Sequence, residues 1–575
     1  MVFMGHDGKK APGHLLCQVT MQQYAVTTRQ SNFQYGALHT HAPVRIGEQS
    51  MLWKCAYARN RQGEGGWSRM KMKRCQVNPA CILTIEEPAC LFPIMIFNGE
   101  EGFSFARYFQ KFRGQQRPVP CPQPDADVPV MLTDRTIAQR MQKLLAQMAR
   151  EGYATLIIYG DVEHSGNFEY LTGFMTRFEE GLLVLHADGR AALLVGNENI
   201  KLARHCRIPA QVLHCPMLSL PNQPMTGQRP LEELPRDAGV QLHQKSGLVG
   251  WKRFTGGDGC KGKRFDLPYF MGDAIRQVAG MDAMENATGL FIGPEGVRRT
   301  HTANEIAHYA YGSALASDGV LRAMQAIRPG MREMELGGLL HAHGQRCSVT
   351  TICAAGPRYE KGNLYPSART VALGDPVSLT CGYRGGLASR CAYAVASADQ
   401  LPPSQRDYVE ALSAPYFAAL TAWLENIRPG MTGGELYALI QAVLPQETFH
   451  WNLCSGHLTA EEEWLCSPIY AGSAEKLLSG MLIQLDIIPS LPGYAGTGCE
   501  NGIALADATL RAAIRAEYPQ MRQRMQERRQ YMLHYLGIRL PEWVLPLSSG
   551  VAYLRPYLLD KQRALTYNHD EEECK

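Results

Sequence analysis

Five consecutive residues, Ile327-Arg328-Pro329-Gly330-Met331, return one hundred positions later as Ile427-Arg428-Pro429-Gly430-Met431. Each copy is followed at the same offset by Glu-Leu, at Glu335-Leu336 and Glu435-Leu436. Aligning residues 313–342 with 413–442 gives 11 identities in 30 positions. Solenoid units run to roughly 20–50 residues, so this longer period points to one supersecondary unit used twice. In each copy a long helix, over 304–326 and 404–426, is ended by Pro-Gly, and Glu-Leu opens a second helix. Strand-like runs follow at 370–382 and 481–489. A duplicated half of this kind predicts a ligand-binding cleft on its pseudo-two-fold axis.

The length of 575 residues predicts three or four domains. Net charge is only +4, which excludes a general nucleic-acid field. The imbalance is local, because residues 1–128 carry 15 Lys or Arg against 9 Asp or Glu. This segment also holds six cysteines and shows no sustained helical or strand period, so it is expected to be an irregular, poorly ordered basic extension. No apolar run approaches the ~18 residues of a membrane span, and the start lacks the apolar core of a secretory signal. The 17 cysteines show no short-spaced pairing. A cytoplasmic protein with reduced thiols is therefore expected.

Five prolines between Pro118 and Pro129 mark a boundary, and the folded body is expected to start after them. Asp134 is expected to cap a helix with Ile137, Met141, Leu144, Leu145 and Met148 on one face, closed by Gly152. A buried strand over 154–159 and a hairpin of strands 182–185 and 191–195 turning at Asp188-Gly189 complete an α/β domain ending near residue 290. Gly257 to Lys263 has the Gly and Lys spacing of a phosphate loop. Arg264 stands where Ser or Thr would hold magnesium, and Pro268 interrupts the helix that should follow, so nucleotide binding is dismissed.

Several short motifs occur in a specific order. Asn167-x-x-Tyr170-Leu171-Thr172-Gly173-Phe174 resembles the signature of the amino-terminal domain of creatinase and aminopeptidase P. Gly374-Asp375, Gly456-His457, Ser479-Gly480-Met481 and Glu500 then follow at the expected places. From about residue 130 to 555 the chain resembles the aminopeptidase P, creatinase and methionine aminopeptidase family. The resemblance implies an α/β (α+β) architecture: a creatinase-type N-terminal domain over 129–290, a duplicated pita-bread domain over 291–560 and a polar tail over 561–575. It also implies Xaa-Pro aminopeptidase-like hydrolysis of a peptide or related C–N bond, a small-molecule or peptide substrate and a homodimer. No nucleic-acid or membrane partner is expected.

Active members hold two divalent metals through two aspartates, one histidine and two glutamates, with a second histidine assisting. Two adjacent dications need several carboxylates to offset their charge, and together they make a hydroxide nucleophile. Carried onto this sequence, the first aspartate falls on Thr380 and the second on Arg390-Cys391. The ligand histidine falls on His457, the first glutamate on Asp486 and the second on Glu500. The assisting histidine has no counterpart between Cys353 and Pro366. At most three of five ligands remain, which argues against a dinuclear manganese or cobalt site.

Three readings of the site stay open. His457 and Glu500 could be ordinary hydrogen-bonded groups of a non-catalytic family member that uses its cleft to bind a peptide or small molecule. A hydrolase could use His457, Glu500 and Asp486 as acid and base, with Arg390 and Glu463 meeting the substrate. The Glu461-Glu462-Glu463 run could join that chemistry or be a solvated loop. Finally, Cys381, Cys391, Cys454 and Cys499 with His457 could hold a single zinc.

Overall fold

The computed structural model describes residues 114–126, 128–255, 261–362 and 365–569, together with the backbone of residues 43–46, 49–52, 81–82 and 96–97. Four short strands between Pro43 and Phe97 belong to a separate unit, residues 1–104. The expectations for residues 1–113, and those for residues 257–260 of the glycine-rich segment, lie outside the described residues.

The body starts earlier than expected. Strand β1, Gln115–Pro118, pairs antiparallel with β15, Arg563–Thr566, and Val119 is buried beside it. The proline cluster therefore follows an edge strand, a place that tolerates missing N–H donors. The segment after residue 560 likewise differs from a free polar tail, because Ala564 and Leu565 are fully buried.

Helix α1 spans Asp134–Glu151, and its cap is Thr133, whose side chain accepts from Thr136 N at 3.2 Å. Asp134 is the first helical residue, where its charge complements the helix dipole. Gly152 closes the helix at φ 73°, a left-handed conformation that suits glycine. The six-stranded sheet that follows has the order β7-β6-β2-β3-β4-β5. Its strands are β2 Thr155–Gly160, β3 Gly181–His186, β4 Ala191–Val195, β5 Gln211–His214, β6 Ser246–Val249 and β7 Met284–Asn286. The β3–β4 hairpin is antiparallel and turns at Asp188-Gly189 as the sequence predicts.

In the second domain α4, Ala303–Ala326, and α5, Glu333–Leu340, precede strands β8 Ile352–Ala355, β9 Pro376–Tyr383 and β10 Gly386–Tyr393. Helices α6, Ala414–Asn426, and α7, Gly433–Val443, precede β11 His457–Leu458, β12 Leu482–Leu485 and β13 Gly498–Leu505. The second long helix is shorter than its pattern suggested, because residues 409–413 form a π turn just before Pro415. Proline has no N–H to donate and its ring crowds the carbonyl four residues back, which opens the helix there. In this seven-stranded sheet the path β8-β9-β10-β13-β12-β11 makes the duplication visible: each half contributes three strands, the halves meet where β10 pairs β13, and β14, Val544–Pro546, pairs β13 off that path.

The repeated pentapeptide performs the same work in both halves. Gly330 and Gly430 have φ of 83° and 88°, and their N–H groups donate to Val371 O at 2.8 Å and Leu477 O at 2.7 Å. Ile327, Ile427, Leu336 and Leu436 are fully buried. Glu335 and Glu435 each accept from the backbone N–H three residues back, at 2.8 and 2.6 Å, and so cap the second helix. Among the described residues no helix is long and apolar enough to cross a membrane.

Candidate functional site

Side chains on a strand alternate between faces, so the pairing register decides which residues look into the cleft. Thr380 pairs with Ser389, and Ser389 pairs with Glu500, so these three lie in one row across β9, β10 and β13. Gln484 of β12, which pairs with Gly502, and His457 of β11, which pairs with Gln484, lie on the same face two residues further along the sheet. Asp486 shares the parity of Gln484 just beyond the end of β12. Gly456 precedes His457 at φ 138°, and a Cβ there would lie 2.7 Å from Gln484 O, so only glycine lets the two strands approach.

The histidine gathers the acids. Its Nε2 stands 2.8 Å from Glu463 Oε1, 3.7 Å from Glu500 Oε1 and 3.9 Å from Asp486 Oδ2. The Glu463 contact is an ion pair more than a directed hydrogen bond, because the carboxylate lies off the N–H direction. Nδ1 faces Leu458 O at 3.2 Å, and the Trp464 indole stacks on the ring with centroids 4.3 Å apart. Among the described residues, the one group of three or more His, Cys, Asp or Glu ligand atoms within 4.8 Å of one another is His457, Glu463 and Glu500.

Electrostatics follow from burial and proximity. Burial, with help from Asp486, pushes the Glu500 carboxyl up to about 8. Burial raises Asp486 to about 6, against the opposing pull of His457. For His457 burial favours the neutral ring, but Glu463 and Glu500 outweigh it and hold the imidazole protonated well above its ordinary range. Gln484, fully buried, donates to Leu387 O at 2.9 Å and to Glu500 Oε1 at 3.3 Å, which fixes that carboxyl group. Its signal in the sequence is a lone amide within the apolar run Met481 to Ile488.

Arg390 differs from its expected substrate-binding role. Its register partner is Cys499, one residue out of phase with the Ser389–Glu500 pair, so it lies on the reverse face of the sheet. It is 2% exposed, and its guanidinium donates to Tyr553 O, Ser389 O, Glu500 O, Asn501 Oδ1 and Gly550 O. It is a tie within the fold. Cys391, two residues from Ser389 on the strand, is the one on the cleft face. Thr380 Oγ1 is engaged with Ser389 Oγ at 2.6 Å.

The four cysteines do not assemble as a soft metal centre. Cys381 Sγ faces Ala316 O at 3.4 Å and Cys454 Sγ faces Gly456 O at 3.0 Å. Burial raises the thiols of Cys381 and Cys391 to about 12 and 11, which keeps them protonated.

The glutamate run is also unlike a solvated loop. Glu461 Oε2 lies 2.6 Å from Arg298 Nη2, and its Oε1 accepts from Tyr309 OH at 2.6 Å and from Arg140 Nη1 at 3.4 Å. Glu462 also pairs with Arg298, and Arg140 Nε lies 2.7 Å from Glu305. Arg140 and Arg298 are 2% and 1% exposed. Burial alone would raise the Glu461 carboxyl, but Arg298 and Arg140 hold it well below the usual carboxylate range. These two arginines come from the first domain and its edge, so the run joins the domains while its last member reaches His457.

Residues 308–510 match metallopeptidase family M24, and residues 140–224 match the creatinase/prolidase N-terminal domain. Among solved structures the chain is similar to an Xaa-Pro dipeptidase from Bacillus anthracis, with 17% identity, TM-score 0.50, and 65% of this chain covered against 96% of that one. A prolidase from Pyrococcus horikoshii OT3 gives 17% identity and TM-score 0.50 over 64% and 95% of the two chains. A recombinant prolidase from Thermococcus sibiricus gives 17% and 0.51 over 64% and 95%. At such identity the likeness is one of fold. No curated protein matches the chain. Both domains of the resemblance are thus matched in order: the chain carries a creatinase/prolidase N-terminal domain followed by a metallopeptidase family M24 domain.

Proposed function

We propose that the chain is a hydrolase of the Xaa-Pro peptidase kind, cleaving a peptide or related C–N bond at the His457 cluster. The observation that supports this reading is the convergence of Glu463, Asp486 and Glu500 within 3.9 Å of one imidazole nitrogen in the cleft of the duplicated fold.

The family's pair of metals does not fit this donor set. Thr380 spends its hydroxyl on Ser389, and Cys391 replaces the second aspartate, so two of the four carboxylates are gone. The remaining groups can act as acid and base directly. Asp486, ionised, takes a proton from a water as its oxygen bonds to the substrate carbonyl carbon. As the C–N bond breaks, the Glu500 carboxyl or the His457 imidazolium gives a proton to the leaving nitrogen. Glu463 holds the imidazolium, and Gln484 orients Glu500.

The purified full chain is to be assayed on Xaa-Pro dipeptides and tripeptides with manganese and with chelator, alongside metal analysis. Chelator-resistant cleavage that is lost in Asp486→Asn is the expected result. Two equivalents of bound metal with chelator-sensitive cleavage would overturn it. Peptide binding without cleavage under either condition would replace it with a binding protein that keeps the cleft.

A further inference from the structure

Away from that cluster, the first turns of three helices border one groove of about 570 Å³. They belong to α1, to α4 and to α8, which spans Ala508–Glu517. Asn304 draws the elements together. Its Oδ1 accepts from Thr133 N at 2.9 Å and Thr136 Oγ1 at 2.6 Å, while its Nδ2 donates to Met131 O and to Tyr518 OH at the end of α8.

A helix start leaves N–H groups without intrahelical acceptors and carries about half a positive charge. In α4 the capping box satisfies Thr302 and Glu305, which leaves the N–H groups of Ala303 and Asn304, both lining the groove. Arg135 and Lys143 line it too, and among the described residues neither has an ion-pair partner. Two acids, Asp507 and Glu517, border the same groove, but Asp507 is spent on capping Leu510 N at 2.8 Å.

His301 supplies the independent sign of a ligand. It is 5% exposed, it lines the groove, and neither ring nitrogen has a hydrogen-bond partner. A buried polar group without a partner costs about 1–3 kcal/mol, so such a group asks for one. Burial lowers the imidazole to about 4, so at neutral pH the ring offers one N–H donor and one lone pair. A hydrogen phosphate or a singly protonated phosphate monoester presents both an oxygen acceptor and a P–O–H donor. A carboxylate presents only acceptors.

We propose that the groove bounded by Thr133, Arg135, Lys143, His301 and Ala303 binds a phosphate-class anion, either free phosphate or the monoester of a small molecule. The Arg135 and Lys143 cations close on the anion from α1, and the α4 start and His301 receive it from the second domain. Binding there is separate from the His457 cluster and stands whether or not that cluster hydrolyses peptides.

The test is calorimetric titration of the full chain with inorganic phosphate and, in a second arm, with glycerol phosphate. Saturable binding is expected, weakened by roughly tenfold or more in Arg135→Ala/Lys143→Ala. Those side chains are on the surface, so the double variant should fold, and circular dichroism would verify it. His301→Phe, if folded, should weaken binding as well. Tighter binding of the monoester would assign the groove to a phosphorylated small molecule, and equal binding would assign it to free phosphate. Absence of saturable binding by the unmodified chain at tens of millimolar, or unchanged affinity in the double variant, would overturn the proposal.

Discussion

His457 Nε2 stands 2.8 Å from Glu463 Oε1, a carboxylate only six residues further along the chain. The pair encloses the loop that also carries Glu461 and Glu462, so the charge state of the cleft histidine is tied to the inter-domain ion network. Glu463→Gln removes the attraction that opposes burial, so the His457 titration should move downward. Nuclear magnetic resonance of the imidazole would follow it, and an unmoved titration would show that Glu500 and Asp486 sustain the charge without Glu463.

Hydrolysis should depend on pH in a bell. Asp486, at about 6, must be ionised to take a proton, and Glu500, at about 8, must be protonated to give one. The rate kcat/KM should therefore rise through about pH 6 and fall through about pH 8, with both limbs belonging to the interacting pair. Asp486→Asn should lower kcat by about 10²–10⁴-fold. A flat profile between pH 5 and 9 would remove both groups from the chemistry.

The contribution of the cleft acids to stability should fall as pH rises. Glu500 and Asp486 have folded values raised above those of the unfolded chain, so the folded state binds their protons more tightly. Their contribution is fully present below about pH 4 and is lost as pH climbs through about 6 and then about 8. The raised His457 acts in the same direction. Glu500→Gln should accordingly be more stable than the unmodified protein at pH 9 and close to it at pH 4, as read by thermal unfolding. The opposite order would contradict the assigned burial.

Arg390→Met should destabilise the protein by about 3–5 kcal/mol while leaving the cleft face of the sheet in place. Five acceptors lose their donor together, and four of them are main-chain carbonyls that cannot move away. Arg390→Lys should recover little, because an ammonium cannot span a forked set of acceptors. Denaturant unfolding measures both, and a loss of activity without loss of stability would return Arg390 to the substrate.

Glu461→Gln should also cost about 3–5 kcal/mol, since it leaves Arg140 and Arg298 short of a buried counter-charge. Arg298→Met in the same chain should cost less than the sum of the two single changes. A double-mutant cycle reads that coupling, and strict additivity would show the residues to be independent.

Helix and strand placement was legible wherever local pattern and burial agree: the Gly152 stop, the Asp188-Gly189 hairpin and the paired Glu caps all follow from nearby chemistry. Arg390 was misplaced because sequence spacing alone located the site position between two neighbours, and only strand register tells which of them faces the cleft. The Glu461 run stayed open in the sequence because three adjacent acids suit a solvated loop as well as a cleft, and their partners Arg140 and Arg298 lie over 160 residues away. The thiol cluster failed similarly, since proximity on paired segments does not bring sulfurs to a common point.

The palindromic order of the central sheet has a consequence for how the two copies have diverged. Every acid and the imidazole of the cleft come from the second copy, on β11, β12, β13 and the loop after β11. The first copy presents Thr380, Ser389 and Cys391 at the same seam. One repeat carries the ionisable equipment and the other a neutral wall, so the symmetry of the backbone frames a one-sided arrangement of charge.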